Sequence, residues 1–454
     1  MRAIVQQNML ERAFRDALFP NTLFRGDVAV KDWPKNVGDN MIFTSPGLLP
    51  PRMRPIVPGV DPTPNSYKLE QWEAQLQRYA DTIDIDMVSD MVALSSIFMR
   101  NAHQLGLGAA QSLNRLVRNR MYNAAEAGWT VADGAQTGVT TLRVKRLNGF
   151  TKARNPNLSG ASTVRFDPVS ASNPLNILVD ISGTLTANTV VAFTPDTAGD
   201  ELGPGTLTLG SSVTVSSRAA VLAVDRSLAH HVGGGNRTDD VNSTSLPKLS
   251  DVRAVISSFF QNNVPPHKDG RFHAHADPTS ISKLYEDAEF QRLNTSLPDY
   301  YLYKQFFIGE ILNTIFARNS ECPIVSTVYP NDGTTFSLDD NFAPELYSTG
   351  ASTGTPMHRI LFSGSDAIIE CWRSAMDVIS DAGLTGKVAE PQITNNGIEV
   401  MCDRVQLIFR APLNRLQDMV AASWQFIGDW PVRTDAATGD AKRIKRLAVL
   451  IHGE

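Results

Sequence analysis

The sequence has little cysteine and no long apolar run. Its 454 residues include three cysteines, Cys322, Cys371 and Cys402. An odd and sparse set of cysteines gives no disulfide framework and is typical of proteins that stay in a reducing cytoplasm. No apolar run approaches the roughly 18 residues of a membrane-spanning helix. Residues 1–19 carry scattered charges where a signal peptide would have an apolar core. These absences argue against a secreted disulfide-rich domain and against a membrane protein.

The chain also lacks an excess of positive charge. It has 42 Lys and Arg residues against 47 Asp and Glu residues, a net charge of −5 and a pI of about 5.9. This balance argues against tight, sequence-independent binding of DNA, which needs a basic face. It is compatible with loose contact with packaged nucleic acid. The apolar fraction of 42% and the charged fraction of 20% are those of an ordinary globular protein. The length allows two or three domains.

Catalytic signatures are sparse in the sequence as well. It contains no His-Glu-x-x-His and no phosphate-binding Gly-x-x-x-x-Gly-Lys motif. One Gly-x-Ser-x-Gly match occurs at 350–354, but the next predicted element is a strand and not the helix that a nucleophile elbow needs. The three glycines at 233–235 lack the strand and helix that a phosphate-binding loop needs, so we interpret them as a flexible linker. We therefore expect a protein that is not an enzyme and that holds no cofactor or metal.

Two histidines offer a weak alternative to that expectation. His273 and His275 lie two residues apart in a predicted strand, so their side chains share one face, and Asp277 continues the alternation. Two imidazoles on one face can begin a metal site, although polar packing or an interface explains the pattern more simply. His230 and His231 would point to opposite faces of a strand, which favours a metal site even less.

Two further groups of charged residues have both a structural and a functional interpretation. Asp84 and Asp86 share one face and could do acid–base chemistry, but their place before a predicted helix favours interaction with the helix dipole. A basic cluster near the C-terminus is either a solvated face or a contact with an acidic neighbour or packaged nucleic acid. It consists of Lys442, Arg443, Lys445 and Arg446.

The most informative feature that the sequence does contain is the stretch 38–128. A short strand-like run at 38–43 leads into a segment with seven prolines between Pro46 and Pro64, and a second extended run covers 67–79. This pattern predicts a long hairpin with little core of its own. Such a hairpin needs stabilisation from outside the subunit, as in a shell whose subunits overlap their neighbours.

A long amphipathic pattern follows the hairpin. Apolar residues recur at helical spacing over 88–125, which predicts one helix several times longer than the average of about 11 residues. Gly106 and Gly108 lie within the pattern and could bend or break the helix. Two consecutive ordinary helices are therefore the alternative. A shorter amphipathic helix is predicted over residues 1–19, ending before Pro20.

The remaining sequence alternates between β-like and helical segments. Residues 131–224 are rich in Thr, Ser, Gly and Val and predict short strands of a small antiparallel β domain. Helices are expected at 249–260, with Ser250 near the N-cap, at 280–290, capped by Thr279 or Ser280, and at 366–379. Strands are expected at 271–276, 324–328, 359–362, 396–410 and 444–451.

The order of these features resembles that of the major capsid proteins of tailed bacteriophages, which have the HK-ninety-seven-type fold. The similarity is to the larger coat proteins of the podovirus type. Each matching passage is a loose pattern of apolar, Gly and Pro positions, and their order is more specific than any one of them. The passages are 38–43, 55–59, 79–90, 109–121, 249–260, 270–278, 309–323 and 361–367.

The resemblance implies an α+β fold with an N-terminal arm, an extended loop, a peripheral domain with a long spine helix and long β-strands, an inserted small antiparallel β domain, and an axial domain. The boundaries expected for them are 1–30 for the arm, 31–80 for the extended loop, 81–130 with 246–276 and 390–454 for the peripheral domain, 131–245 for the insertion and 277–389 for the axial domain.

The resemblance also implies a function. The chain would be the structural subunit of an icosahedral phage head, forming pentamers and hexamers around packaged double-stranded DNA. Its partners would be copies of itself, a scaffolding protein, a portal, a cement or decoration protein and, weakly, the DNA. It would assemble in the bacterial host cytoplasm and reside in the virion capsid. Residues expected at contacts between subunits are Pro50, Arg52, Arg54, Pro58, Lys442, Arg443, Lys445 and Arg446.

Three other interpretations compete with a phage coat protein. A cellular nanocompartment shell shares the fold but has a much shorter chain and no large β insertion. A surface adhesin built on the Ser/Thr-rich β segment leaves the long helix and the proline-rich hairpin unexplained. An enzyme with an unrecognised site lacks a supporting motif.

Overall fold

The structure of the chain is a computed structural model, and we describe the part of the chain whose placement it defines. The described residues are 12–14, 16–17, 23–34, 38–47, 49, 51–53, 55, 59, 61–62, 64–86, 97–158, 163–237, 240–295, 310–326, 356–374, 393–394, 397–402, 404–410, 419–435 and 442–453.

These residues form an α+β fold in which strands predominate, as expected. The helices are α1 (Leu23–Gly26), α2 (Ile97–Ala125), α3 (Leu249–Gln261), α4 (Pro278–Tyr285) and α5 (Ala288–Thr295). The first strands are β1 (Ala29–Asp32), β2 (Asn40–Pro46), β3 (Leu69–Gln75), β4 (Gln77–Asp86), β5 (Trp129–Val131), β6 (Gln136–Val144), β7 (Lys152–Leu158), β8 (Thr163–Pro168), β9 (Leu175–Ile181), β10 (Thr184–Pro195), β11 (Gly205–Val215) and β12 (Ala220–Ala223). The later strands are β13 (Leu228–His231), β14 (Phe272–Ala276), β15 (Glu310–Ile311), β16 (Thr314–Arg318), β17 (Val325–Ser326), β18 (Pro356–Ser363), β19 (Ile369–Trp372), β20 (Ile393–Thr394), β21 (Gly397–Cys402), β22 (Val405–Arg410), β23 (Met419–Asp429) and β24 (Leu447–Gly453).

The chain divides into two compact units, each made of segments that are distant in sequence. The first unit comprises Met1–Met41, Glu73–Arg118 and Ile368–Pro431. The second comprises Ile42–Trp72, Asn119–Ala367 and Val432–Glu454. The boundaries of the expected capsid domains stay a prediction, and the predicted insertion 131–245 lies wholly within the second unit.

The first unit is built on a seven-stranded sheet. Its strand order is β1-β19-β23-β22-β21-β20, and β4 also pairs with β23. The β4–β23 pair is antiparallel over ten positions, from Gln77 opposite Gly428 to Asp86 opposite Met419. Strand β1 joins the sheet parallel to β19, so the chain near the N-terminus is held by a strand more than 300 residues away. The predicted strands at 396–410 are confirmed as β21 and β22.

Helix α2 runs without interruption from Ile97 to Ala125 through Gly106 and Gly108. The alternative of two consecutive helices is therefore wrong within these residues, while the predicted start at 88–96 lies outside the described residues. The predicted apolar stripe is confirmed by its buried members Ala102, Leu105, Ala109, Leu113, Val117, Met121 and Ala124. None of the helices in the described residues is both long and apolar enough to cross a membrane.

The β-rich segment of the second unit is a closed barrel. Its strand order is β5-β12-β9-β10-β11-β6, and all of these pairs for which the register is defined are antiparallel. The two ends of this order meet because Ala132, next to β5, pairs with Val144 of β6. Closure leaves no long free sheet edge, so the barrel can bury a core of its own. That core includes Leu142, Ile177, Val179, Val190, Leu207 and Val221.

A second sheet in the same unit carries most of its histidines. The strand order is β13-β24-β18-β14-β16-β15, and β17 also pairs with β18. Helices α3 and α4 cover this sheet with apolar residues such as Phe259 and Ile281, which join its core. A four-stranded sheet of order β2-β3-β8-β7 supports the hairpin that the sequence predicted.

The predicted helix at 366–379 is wrong over its described residues. Residues 369–372 form strand β19 between β1 and β23, and Asp366 has a φ of 55° in the turn before it. The spacing of Ala367, Ile368 and Cys371 suits a helix face, and all three are buried. A strand that is enclosed by neighbouring strands buries the same residues, and hydrogen bonds to those strands outweigh local preference.

The single helix predicted at 280–290 is also wrong, because α4 ends at Tyr285 and α5 begins at Ala288. The N-cap of α4 is Asp277, not Thr279 or Ser280, since its carboxylate accepts from the backbone N–H groups of both residues, at 3.1 and 3.3 Å. Helix α3 begins one residue before Ser250, and there the Asp251 carboxylate accepts from the backbone N–H of Lys248 at 3.0 Å.

Gly106 and Gly108 give a matched test of how the first unit packs. A Cβ at Gly106 would lie 2.6 Å from the Phe14 carbonyl oxygen and 2.9 Å from the Ala17 Cβ, whereas one at Gly108 would have no neighbour within 4 Å. We expect Gly106→Ala to lower the free energy of unfolding by about 1–3 kcal/mol through overpacking. Gly108→Ala should raise it by up to about 1 kcal/mol through helix propensity. Urea denaturation of both variants checks this, and stabilisation by both would contradict the packing at Gly106.

Candidate assembly surface and buried charged clusters

The hairpin β2–β3 has one well-packed face near its base. The rings of Phe43 and Trp72 stack at a centroid distance of 5.7 Å and an angle of 8°. The Arg433 guanidinium lies 5.6 Å from the centre of the Trp72 ring and donates to the Ser45 hydroxyl at 2.8 Å. Stacked aromatic rings and a cation over one of them fix the direction in which the hairpin leaves this sheet.

Beyond this base, the hairpin has no cover within the chain. Every described residue of 49–68 is exposed. Met53 has 89% of its surface accessible, and Leu49 and Tyr67 have 55% and 48%. Apolar side chains grouped in this way on a proline-rich segment indicate an interaction surface. We call residues 47–68 the hairpin loop.

The contact residues predicted for the hairpin loop are partly described. Arg52 is exposed in the loop, between Leu49 and Met53. Pro50, Arg54 and Pro58 lie outside the described residues. The expectation that these four residues touch another subunit stays a prediction.

The basic cluster near the C-terminus lies mostly inside the second unit. Arg443, Lys445 and Arg446 are each at most 9% exposed, so the interpretation as a solvated face is wrong for these three residues. Lys442 is half-buried. Buried cations are retained only with compensating partners, and the chain supplies such partners itself.

Two aspartates pair with these cations. The Arg443 guanidinium lies 3.0 Å from Asp225 and 4.7 Å from the centre of the Phe166 ring. The Arg446 guanidinium lies 3.0 Å from Asp435. These two pairs lie within the subunit. The expectation that Lys442, Arg443, Lys445 and Arg446 touch another subunit stays a prediction.

A buried carboxylate joins three segments of the second unit. Glu126 follows α2 and accepts from Arg146 at 2.9 Å and from Arg359 of β18 at 2.6 Å, and all three side chains are at most 3% exposed. Burial acts to raise the pKa of Glu126, but the charges and hydrogen bonds of Arg359 and Arg146 outweigh it and hold the pKa below its usual value.

The first unit has a similar buried centre at Glu370 on β19. Arg25 donates to both of its oxygens, at 2.8 and 2.7 Å, in a bidentate pair. Arg404 lies 2.9 Å away, and the Trp430 indole N–H donates at 3.3 Å. This centre fixes α1 against the sheet, because Arg25 lies in that short helix. The backbone N–H of Phe24, also in α1, donates to the Asn114 side chain at 2.9 Å.

A third buried cluster lies where β14 passes into α4. The Asp277 carboxylate is 2.8 Å from His358 Nδ1 of β18 and accepts from the Ser280 hydroxyl. Ser280 Oγ is also 2.7 Å from Nε2 of His452 in β24. The rings of His358 and His452 lie nearly parallel, with centroids 5.4 Å apart. All four residues are at most 2% exposed.

The histidine pair singled out in the sequence takes part in polar packing. His273 stacks on His267 at 4.1 Å, and its Nε2 is 2.9 Å from Asp269. Asp277 contacts Ser280 and His358. In β13 of the same sheet, His230 lies 3.4 Å from Asp251. These contacts fit the packing interpretation of His273 and Asp277.

Sequence analysis missed Glu126, Arg146, Arg359 and Glu370. A weak signal exists for Arg359 and Glu370, since each is a lone charge inside an apolar strand, Met357–Ser363 and Ile369–Trp372 respectively. A charge at such a position predicts a buried partner. The identity of that partner depends on the folded chain. Of the carboxylates flagged in the sequence, Asp84 is exposed on β4, and the side chain of Asp86 lies outside the described residues.

Removing the charge of Glu126 tests the buried ion pairs of the second unit. We expect Glu126→Gln to lower the free energy of unfolding by about 3–5 kcal/mol at pH 7, because two buried guanidinium groups lose their counter-charge. Since the pKa of Glu126 is lowered in the fold, this contribution is present above its unfolded pKa of about 4.3 and is lost as the pH falls further. Urea titrations at pH 7, 5 and 4 measure it.

The control for that substitution is Glu286→Gln. Glu286 is 55% exposed and lies 3.4 Å from Lys283. Exposed pairs contribute little, so a change within about 1 kcal/mol is expected. Equal losses for both variants would contradict the role of Glu126.

His231 should make the fold sensitive to acid. Its ring packs against Trp129 at 5.2 Å, neither ring nitrogen has a hydrogen-bond partner, and burial lowers its pKa to about 4. Between the unfolded value of about 6.5 and that folded value, the unfolded state binds the proton more readily, so stability falls as the pH falls. Between pH 6.5 and 4, we expect the free energy of unfolding to fall by up to about 3 kcal/mol less in His231→Phe than in the wild type. His103→Phe, at an exposed ring, should follow the wild type in the same denaturation series.

No known protein-family model matches the sequence, and no curated protein sequence matches it. The structure is similar to solved phage capsids over nearly its whole length. The capsid of Ralstonia phage GP4 is 12% identical, with 96% of this chain and 92% of that chain covered and a TM-score of 0.47. The capsid of cyanophage P-SCSP1u is 10% identical, with 94% and 87% covered and a TM-score of 0.48. The capsid of cyanophage Pam1 is 10% identical, with 97% and 92% covered and a TM-score of 0.46. Because all three TM-scores lie below 0.5, we base the assignment of function on the geometry of this chain.

Proposed function

We propose that this chain is the structural subunit of an icosahedral shell, the head of a tailed bacteriophage, in which pentamers and hexamers enclose packaged double-stranded DNA. The observation that carries the proposal is the exposed hairpin loop, whose apolar residues, where the structure describes them, have no cover within the subunit. A neighbouring copy supplies that cover. The role is structural, and the chemistry of the chain is non-covalent association.

The hairpin loop differs from the rest of the chain in what stabilises it. Each compact unit contains its own buried core and its own paired charges around Glu126 or Glu370. The loop has six prolines, from Pro50 to Pro64, and no buried residue among those described in 49–68. Prolines restrict the unfolded chain, so the loop loses less conformational entropy when it docks. A stiff, apolar and uncovered hairpin suits a contact that forms only on assembly.

The other elements suit a shell subunit as well. Helix α2 is 29 residues long, more than twice the usual length of about 11, and it would be the spine of the peripheral domain. We assign the arm, extended loop, insertion and axial domain to 1–30, 31–80, 131–245 and 277–389. The peripheral domain takes 81–130, 246–276 and 390–454. Among the described residues, none favours the alternative of an adhesin.

The partners follow from the same role. Copies of the chain associate through the hairpin loop, with Arg52 and Lys442 at contacts between subunits. A scaffolding protein, a portal and a cement or decoration protein complete the head, and contact with the DNA is weak because the net charge is negative. Assembly takes place in the cytoplasm of the bacterial host.

Electron microscopy of the recombinant protein, alone and with a scaffolding protein encoded beside it, tests the proposed function. We expect closed icosahedral particles, since many modest contacts between identical subunits close a symmetric shell. The particle diameter would give the number of subunits. Monomers or small oligomers under both conditions would overturn the proposal.

A charge within the hairpin loop tests the docking surface itself. We expect Met53→Asp to abolish particle formation while circular dichroism and the melting temperature of the free subunit stay unchanged. Burying this side chain is worth about 1.5–3 kcal/mol at each contact, and the aspartate would have to be buried with its charge. Ser66→Asp adds the same charge at another exposed position of the loop and should still assemble. Particles formed by Met53→Asp as readily as by the wild type would show that the apolar loop is not a contact.

A further inference from the structure

The buried cluster at the start of α4 forms a continuous chain of polar contacts. Its links run from the Asp277 carboxylate to Ser280 Oγ, from Ser280 Oγ to His452 Nε2 at 2.7 Å, and from His452 Nδ1 to the Gly453 carbonyl oxygen at 2.8 Å. The three side chains are at most 2% exposed. Each link is short enough for a hydrogen bond, and each therefore needs one hydrogen between its two heavy atoms.

The hydrogens available at neutral pH do not suffice for these three links. The Ser280 hydroxyl supplies one hydrogen and a neutral imidazole supplies one, while an ionised carboxylate and a carbonyl supply none. If His452 carries its hydrogen on Nδ1, the single Ser280 hydrogen can serve either the link to Asp277 or the link to His452 Nε2, and the other link lacks a hydrogen. If it carries the hydrogen on Nε2, two lone pairs face each other between Nδ1 and the Gly453 oxygen. Either tautomer leaves one buried link unmade.

One additional proton completes the chain. An imidazolium donates from Nδ1 to the Gly453 carbonyl and from Nε2 to Ser280, and the Ser280 hydroxyl then donates to Asp277. The positive charge formed on His452 lies one side chain away from the negative charge of Asp277. We propose that Asp277, Ser280, His452 and the Gly453 carbonyl form a buried proton-binding site that ties the C-terminal strand β24 to the first turn of α4 and closes when it takes up one proton.

The groups around His452 shift its pKa in both directions. Burial lowers the pKa of His452 to about 4 and the adjacent His358 acts in the same direction, while the Gly453 carbonyl, Asp277 and Asp251 act to raise it. Burial acts to raise the pKa of Asp277, but the hydrogen bonds from His358, at 2.8 Å, and from Ser280 outweigh it and lower the pKa, so the carboxylate stays ionised. The added proton therefore resides on His452.

Other titratable or charged groups near the site come from several elements. They are Tyr122 of α2, His230 of β13, Asp251 of α3, His275 of β14, Cys322 after β16, and His358 and Arg359 of β18. Arg359 is paired with Glu126, and His230 lies near Asp251. Asp277 is the carboxylate in contact with the chain of polar links, so it is the nearest counter-charge for the proton.

At neutral pH the hydrogen-bonded link between β24 and α4 is incomplete, and protonation of His452 completes it. Because the folded pKa of His452, about 4, lies below the unfolded value of about 6.5, the fold still loses stability in acid, as it does through His231. The completed link makes that loss smaller than it would be without the Ser280 hydroxyl. The proposal concerns contacts within one subunit and does not depend on whether the chain assembles into a shell.

The experiment follows the ring nitrogens of His452 by NMR in the full chain labelled with ¹⁵N-histidine, from pH 7.5 to 4. The signal is assigned by its absence in His452→Gln. We expect the wild type to bind the proton at least tenfold more tightly than Ser280→Ala. With a wild-type midpoint of about 4, about half of His452 should be protonated at pH 4 in the wild type and about a tenth or less in Ser280→Ala. Ser280→Thr keeps the hydroxyl and should titrate like the wild type. Equal protonated fractions at pH 4 in the wild type and Ser280→Ala would overturn the proposal.

Unfolding experiments give a second readout that a merely structural hydroxyl would not move. The ratio of the unfolding constants of Ser280→Ala and the wild type should rise about twofold between pH 7.5 and 4, because at pH 4 about half of the folded wild type carries the proton on His452 and about a tenth or less of the variant does. A constant ratio would contradict the proton-binding site. If Ser280→Ala does not fold, Ser280→Cys replaces it, because a thiol is a weaker hydrogen-bond donor and the ratio should change in the same direction.

Discussion

The second unit depends on one buried carboxylate. Glu126 lies at the end of α2, and its two guanidinium partners come from the entry to the barrel and from β18, up to 233 residues away. A buried charge is tolerated only with close partners, so these three segments must meet in one arrangement. Glu370 plays the same part in the first unit, where it holds Arg25 of α1 and Arg404. In each unit, buried ion pairs within the chain therefore fix how its segments pack together.

The hairpin loop contrasts with these self-sufficient interiors. Its base is fixed by the stack of Phe43 on Trp72, but its described apolar residues, Leu49, Met53 and Tyr67, face solvent. Each unit has a buried core and paired charges of its own, whereas the described apolar residues of the hairpin loop are exposed. In the proposed shell a second copy covers them, and this association stabilises the hairpin loop. The proposed shell follows from this asymmetry.

Local patterns in the sequence predicted a large part of the fold. The helix expected at 249–260 is α3, Leu249–Gln261, and the strands expected at 396–410 are β21 and β22. The long helix and its apolar stripe are confirmed over Ile97–Ala125. The errors arose where partners distant in sequence decide the structure. Residues 369–372 have helical spacing but become a strand because β1 and β23 enclose them.

The sequence by itself determined the proline-rich hairpin, the long helix and the β-rich segment, because proline content and periodicity act over a few residues. Only the tertiary structure decided that the basic residues Arg443 and Arg446 are buried against Asp225 and Asp435. It also brought His452 to Ser280 across 172 residues. Charge–charge and hydrogen-bond partners depend on distance in space, and the order of residues along the chain does not fix that distance before the chain has folded.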